Sequence, residues 1–132
     1  MDEKDIYIDL AERAIDAADA AVDNAAHEYG GFLAYHAFES SGGALCKSRG
    51  VPYPRLHNRK INSFVVQANR LGIGHQVAGA AIRIASIRNE CLYPIPQPDG
   101  SHRHPKNNLS NTIVKMMVRR AKGIVRAVKR II

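Results

Sequence analysis

A chain of 132 residues, 45% hydrophobic and 23% charged, is too apolar to stay disordered and long enough to bury one core without staples. Its net charge of +7 favours anionic partners, and its two cysteines, Cys46 and Cys91, lack metal-ligand or redox spacing and read as reduced core thiols. No apolar run approaches the ~20 residues of a membrane span, and the acidic N-terminus has no signal-peptide core, so a cytoplasmic protein is expected.

The first helix is expected from about Asp5 to Tyr29. Ile6, Leu10, Ala14, Ala17, Ala21 and Ala25 recur at helical spacing, with Gly30-Gly31 as the stop. Asp5, Asp9, Glu12, Asp16, Asp19 and Asp23 step by three or four residues and make one acidic stripe. Residues 1–29 hold nine acids against Lys4 and Arg13, a balance of −7. The remainder holds 17 bases and three acids, a balance of +14.

A second helix is expected from about Phe32 to Ser48, broken by Gly50, Pro52 and Pro54. Its middle, Ser40-Ser41-Gly42-Gly43-Ala44, is weak in propensity, each glycine costing about 1 kcal/mol against alanine. Close helix–helix contact explains such a segment better than approach of a ligand. The third helix spans about Leu56 to Leu71, with Ile61, Phe64, Val65, Ala68 and Leu71 on one face and Gly72 and Gly74 after it.

The fourth helix fills about Gln76 to Leu92 and sets an arginine where a core residue is expected. Arg88 falls on the stripe of Ala81 and Ala85. Arginine cannot shed its charge, so it requires an anionic partner, a polar cleft or a ligand. Tyr93 follows about one and a half turns on, and Pro94 ends the helix. A proline-studded loop then runs to about Asn108. It carries His102-Arg103-His104, which reads as a solvated basic segment able to hold phosphate when protonated, rather than as a metal site. His27 and His75 read as helix-surface or boundary residues.

The last helix spans about 110–132, with Ser110 or Asn108 as its cap. Ile113, Met117, Ile124, Val128 and Ile131 oppose a basic stripe of Lys115, Arg119, Lys122, Arg126 and Lys129. From Lys106 to Ile132 there are eight bases and no acid. This stripe suits a nucleic-acid backbone, an anionic membrane surface or an acidic protein. Alternatively it pairs with the acidic stripe of the first helix, within the bundle or across a dimer. Five helices and no strand define a single-domain, all-α bundle.

Ala34-Tyr35-His36-Ala37-Phe38 through Ala44-Leu45-Cys46-Lys47-Ser48-Arg49-Gly50, then Leu56-His57-Asn58, then Arg88-Asn89 with Tyr93, follow one another in an order that resembles HEPN domains. The resemblance covers roughly Phe32 to Tyr93. It implies an up-and-down five-helix bundle that dimerises, with the arginine motifs of both subunits meeting in one cleft. In the nuclease members that cleft cuts RNA without a metal ion, often in toxin–antitoxin or antiviral systems beside a small nucleotidyltransferase. By this resemblance Arg88 matches the motif arginine and Asn89 its polar companion, while Tyr93 stands where the nucleases have histidine. A tyrosine, with an ordinary pKa near 10, is a poor base at neutral pH.

The residues themselves leave three functions open. In a ribonuclease, Arg88 would bind phosphate oxygens, Asn89 would orient the substrate or Arg88, and Tyr93 would donate a hydrogen bond or a proton. The base would be His36 or His57 reaching in from neighbouring helices. In a non-catalytic binding module, the basic helix would dock on nucleic acid or a partner protein. In a structural bundle, Arg88 would pair with Glu39 or Glu90. No cofactor or metal is expected in any of these.

Overall fold

The computed structural model covers residues 1–132 and forms an all-α bundle of five helices: α1 (Glu3–Asp23), α2 (His27–Ser48), α3 (His57–Arg70), α4 (Gly74–Leu92) and α5 (Asn111–Ile131). No helix is long and apolar enough to cross a membrane. The α4–α5 connection is not the plain loop expected. Its strands β1 (Ile95–Pro96) and β2 (His102–Arg103) pair as a small antiparallel hairpin, and a 3₁₀ turn, Pro105–Asn107, follows.

The first helix ends six residues earlier than its periodicity suggests. Asn24 caps α1, its side-chain amide donating to the Ala20 carbonyl at 2.8 Å, and Ala25 turns the chain at φ +59°. Gly30 and Gly31, expected as the stop, lie buried inside α2. A Cβ on Gly31 would sit 2.6 Å from the Cys91 thiol of α4, so this glycine serves close packing rather than termination.

The buried face of α1 also differs from the expected one. Ile6 and Leu10 are exposed, whereas Ile8, Ala11, Ala14, Ile15, Ala18 and Val22 face inward. An alanine-rich helix offers two thin apolar stripes, and the bulky branched residues Ile8, Ile15 and Val22 decide between them. Their burial turns Glu12 and Asp19 toward α5. Lys129 reaches Glu12 at 2.6 Å and Lys122 reaches Asp19 at 3.0 Å. The two charged stripes therefore pair within the chain at these positions.

Helix α2 is the central pillar and touches every other helix. On one side Ala34 and Ala37 meet Ala11, Ala18, Val118 and Ala121, small residues that let α1, α2 and α5 approach closely. On the other, Phe38 and Leu45 pack with Phe64 of α3 and Ile84 of α4, the two phenyl rings 5.0 Å apart. The weak middle of α2 survives for the expected reason. A Cβ on Gly43 would meet the Tyr7 ring, and one on Gly42 would meet Tyr53 and Phe64 within 2.8 Å. Both cysteines are free and buried, as expected; burial pushes the Cys46 thiol up to about 11 and the Cys91 thiol to about 12.

Helix α5 starts at the Ser110 cap, whose hydroxyl accepts from the Ile113 backbone N–H at 3.1 Å. Met117, Ile124 and Val128 are buried as read from the sequence, and Ile113 is half-buried. Ile131 is exposed instead.

Candidate functional site

Glu39 is the one acid between Gly30 and Asn89, set on the most buried helix of the molecule. Such a carboxylate must be fully hydrogen-bonded or neutralised. It is fully bonded. Tyr35, one turn earlier, donates its hydroxyl to Oε2. His57 Nδ1, from the first turn of α3, lies 2.7 Å from the same oxygen, and Lys60 Nζ lies 3.0 Å from Oε1. The Tyr53 hydroxyl donates to the Glu39 backbone carbonyl, and the Lys60 ammonium sits 5.5 Å over the Tyr53 ring.

Burial alone would raise the Glu39 carboxyl, but the bonds from Tyr35, His57 and Lys60 outweigh it and hold it below the usual range. An ionised carboxylate only accepts, so His57 carries its proton on Nδ1. Nε2, the other ring nitrogen, has no protein partner and sits on a half-exposed side chain. This is a carboxylate-oriented histidine, the arrangement a general base requires.

Arg88 belongs to the same neighbourhood. Burial and the Glu39 carboxylate push the Tyr35 phenol up, and the nearby Arg88 charge pulls it partly back. The inward stripe of α4 is Val77, Ala80, Ala81, Ile84, Ile87 and Cys91, so Ala85 is exposed and Arg88 occupies a half-buried shoulder rather than a core position. Cβ-branched bulk again settles the rotation, because Ile84 and Ile87 outcompete Ala85 for the interior. Neither expected ion pair forms. Glu39 is committed to Tyr35, His57 and Lys60, and the guanidinium reaches only Asn89 Oδ1, at 3.5 Å. An arginine without a carboxylate on a partly dry surface is ready for an anion.

Asn89 is exposed beside it, and Tyr93 follows at the end of α4, 53% exposed, its backbone N–H bonded to the Asn89 carbonyl at 3.2 Å. The three motif residues thus share the final stretch of one helix. His36 is half-buried on α2, and of the two histidines considered as base only His57 is held by a carboxylate. On α5, Lys122 and Lys129 are engaged by α1, leaving Lys115, Arg119 and Arg126 exposed without a carboxylate in ion-pair reach.

Sequence reasoning named Glu39 as a partner for Arg88 and missed its bonds to Tyr35, His57 and Lys60. The signal was its isolation, a single acid amid bases over some sixty residues of chain. The hairpin holding His102 and Arg103, with the side-chain bond from Arg103 Nη2 to Gln97 Oε1 at 3.2 Å, left no comparable trace. No family model matches the chain, and neither does any curated protein.

Proposed function

We propose that this chain is an HEPN-like RNA-binding protein that cleaves RNA without a metal ion, with His57 in place of the absent motif histidine. The observation that carries this reading is the His57–Glu39 pair at 2.7 Å, set beside Tyr35 and an Arg88 that has no acid partner. His57 Nε2 removes the proton of a 2′-hydroxyl, and the oxygen attacks the adjacent phosphorus. Arg88 binds the phosphate oxygens as charge builds on them, and Asn89 aligns the strand. The departing 5′-oxygen takes a proton from Tyr93, leaving a 2′,3′-cyclic phosphate and a 5′-hydroxyl; the proton that His57 gained then passes through solvent to the tyrosinate, restoring both groups. Exposed Lys115, Arg119 and Arg126 hold the flanking backbone.

The working unit in this reading is a homodimer that brings two Arg88 side chains together. Ile82 supports it, standing 81% exposed on α4 with Ala85, Asn89 and Tyr93 also at the surface. An antitoxin or nucleotidyltransferase partner and a cytoplasmic setting complete it. A second reading, a non-catalytic module that grips nucleic acid or a partner protein through α5, is favoured by the bases of that helix which α1 leaves unpaired.

The test is incubation of mixed RNA in EDTA with wild type, Arg88→Ala and His57→Ala. Wild-type cleavage should fall by about 100-fold or more in each variant. Cleavage that persists in His57→Ala removes the proposed base. Intact RNA with wild type, combined with salt-sensitive RNA binding, selects the second reading.

A further inference from the structure

A second buried carboxylate lies on α2, and it is treated quite differently from Glu39. Glu28 is 9% exposed, and its Oε2 is sealed from water yet accepts no hydrogen bond. The nearest basic side chain, His27, has its Nδ1 3.9 Å away, and that ring is committed through Nε2 to the Lys106 carbonyl at 2.7 Å. A place in the first turn of α2 suits an acid, since the helix dipole favours negative charge there. It does not explain burial with an empty acceptor, which costs about 1–3 kcal/mol.

Glu28 lines a cleft of about 460 Å³ between α2, the end of α4 and the hairpin, within the range of small-molecule sites. Tyr29, 59% exposed, stands at the same cleft, and Cys91, Leu92 and Pro94 add apolar wall. The opposite rim is His102-Arg103-His104, all exposed. No group of three His, Cys, Asp or Glu side chains is assembled for a metal ion. The cleft therefore joins a buried carboxylate, an aromatic face and a cationic rim. A ligand that satisfies all three carries N–H donors on a flat ring at one end and negative charge at the other. An organic cation would match Glu28 alone and be repelled by Arg103 and the chain's excess positive charge.

We infer that this cleft is a base-selective nucleotide subsite: Glu28 accepts from the amino group of adenine, cytosine or guanine, Tyr29 stacks on the ring, and His102, Arg103 and His104 face its phosphate. The inference rests on the RNA-binding reading above and adds selectivity to it. Oε1, the oxygen not sealed from water, is the one that meets the amino group. Uracil has no amino group, only an N3–H flanked by two carbonyl oxygens that are repelled by the carboxylate, and is bound less tightly. Glu28, Phe32, Tyr35 and Glu39 succeed one another by four, three and four residues on one face of α2. The subsite and the Glu39–His57 pair thus lie along one line, about 16 Å of helix apart, so the selected base is bound a few nucleotides from the scissile bond.

The test measures binding of short adenine, cytosine and uracil homopolymers with 2′-O-methyl riboses, which lack the attacking hydroxyl, to the full chain. Wild type should bind the adenine and cytosine RNAs about tenfold tighter than the uracil RNA. In Glu28→Gln, whose amide can donate to uracil, the preference should collapse to within about twofold. The triple variant His102→Ala, Arg103→Ala, His104→Ala leaves Glu28 in place and should weaken all three RNAs equally, with a shallower salt dependence. Equal wild-type binding of the three RNAs overturns the subsite and leaves the RNA-binding reading standing, as does a preference unchanged in Glu28→Gln. Failure to bind any RNA overturns both.

Discussion

Glu39 and Glu28 are buried to nearly the same degree on the same helix, 8% and 9% exposed, yet one is bonded by three side chains and the other by none. Burial alone therefore says little about what a carboxylate is for. The bonded one fixes the positions of its partners, Tyr35, His57 and Lys60, and its worth is measured in stability and orientation. The unbonded one fixes no neighbouring side chain.

The sharpest way to break this contrast is to remove each acid. Glu39→Ala strands the Lys60 charge and the Tyr35 and His57 donors, and should cost about 3–5 kcal/mol in urea unfolding. Acidity sharpens the same point without changing the fold. Because the folded Glu39 carboxyl is depressed, its contribution is complete above the ordinary value of 4.5 and lost as pH falls through the lower folded value. The stability gap between wild type and Glu39→Gln should accordingly narrow as pH falls below the ordinary value of 4.5. Glu28→Gln removes an unanswered charge, so it should leave stability unchanged or raise it by about 1 kcal/mol. A loss as large as that of Glu39→Ala would erase the distinction. Lys129→Ala, at an ion pair open to water, should shift stability by less than about 0.5 kcal/mol and set the floor of the scale.

The fold class was legible because hydrophobic periodicity and glycine–proline breaks mark helices directly. Helix rotation was less so. In α1 the alanines made the Ile6–Leu10 stripe look equivalent to the Ile8–Ile15–Val22 stripe, and only the partner helices distinguish the two. Arg88 suffered the same ambiguity by one position, Ile87 taking the buried place beside it. The motif residues Arg88, Asn89 and Tyr93 could be placed together because they are neighbours along one helix. The Glu39 cluster joins α2 to α3 across eighteen and twenty-one residues, and such long-range polar pairing has no periodic signature. Glu28 reads in the sequence as one more acid of the first segment, because the cleft it lines is completed by a hairpin some seventy residues later.

The pairing of α1 with α5 also bears on how the chain is made. Lys122 and Asp19 are 103 residues apart in sequence, whereas α1 and α2 are joined by the three-residue turn Asn24-Ala25-Ala26. The α1–α2 hairpin is a local structure that can form early in synthesis, while the seat for α5 stays open until that helix has left the ribosome. At about 5–20 residues per second that interval lasts several seconds. Throughout it Ala11, Ala18, Ala34 and Ala37 present a nearly flat apolar surface to water, bordered by the carboxylates of Glu12 and Asp19. The cationic α5, with seven bases and no acid, is drawn by charge to that acidic border.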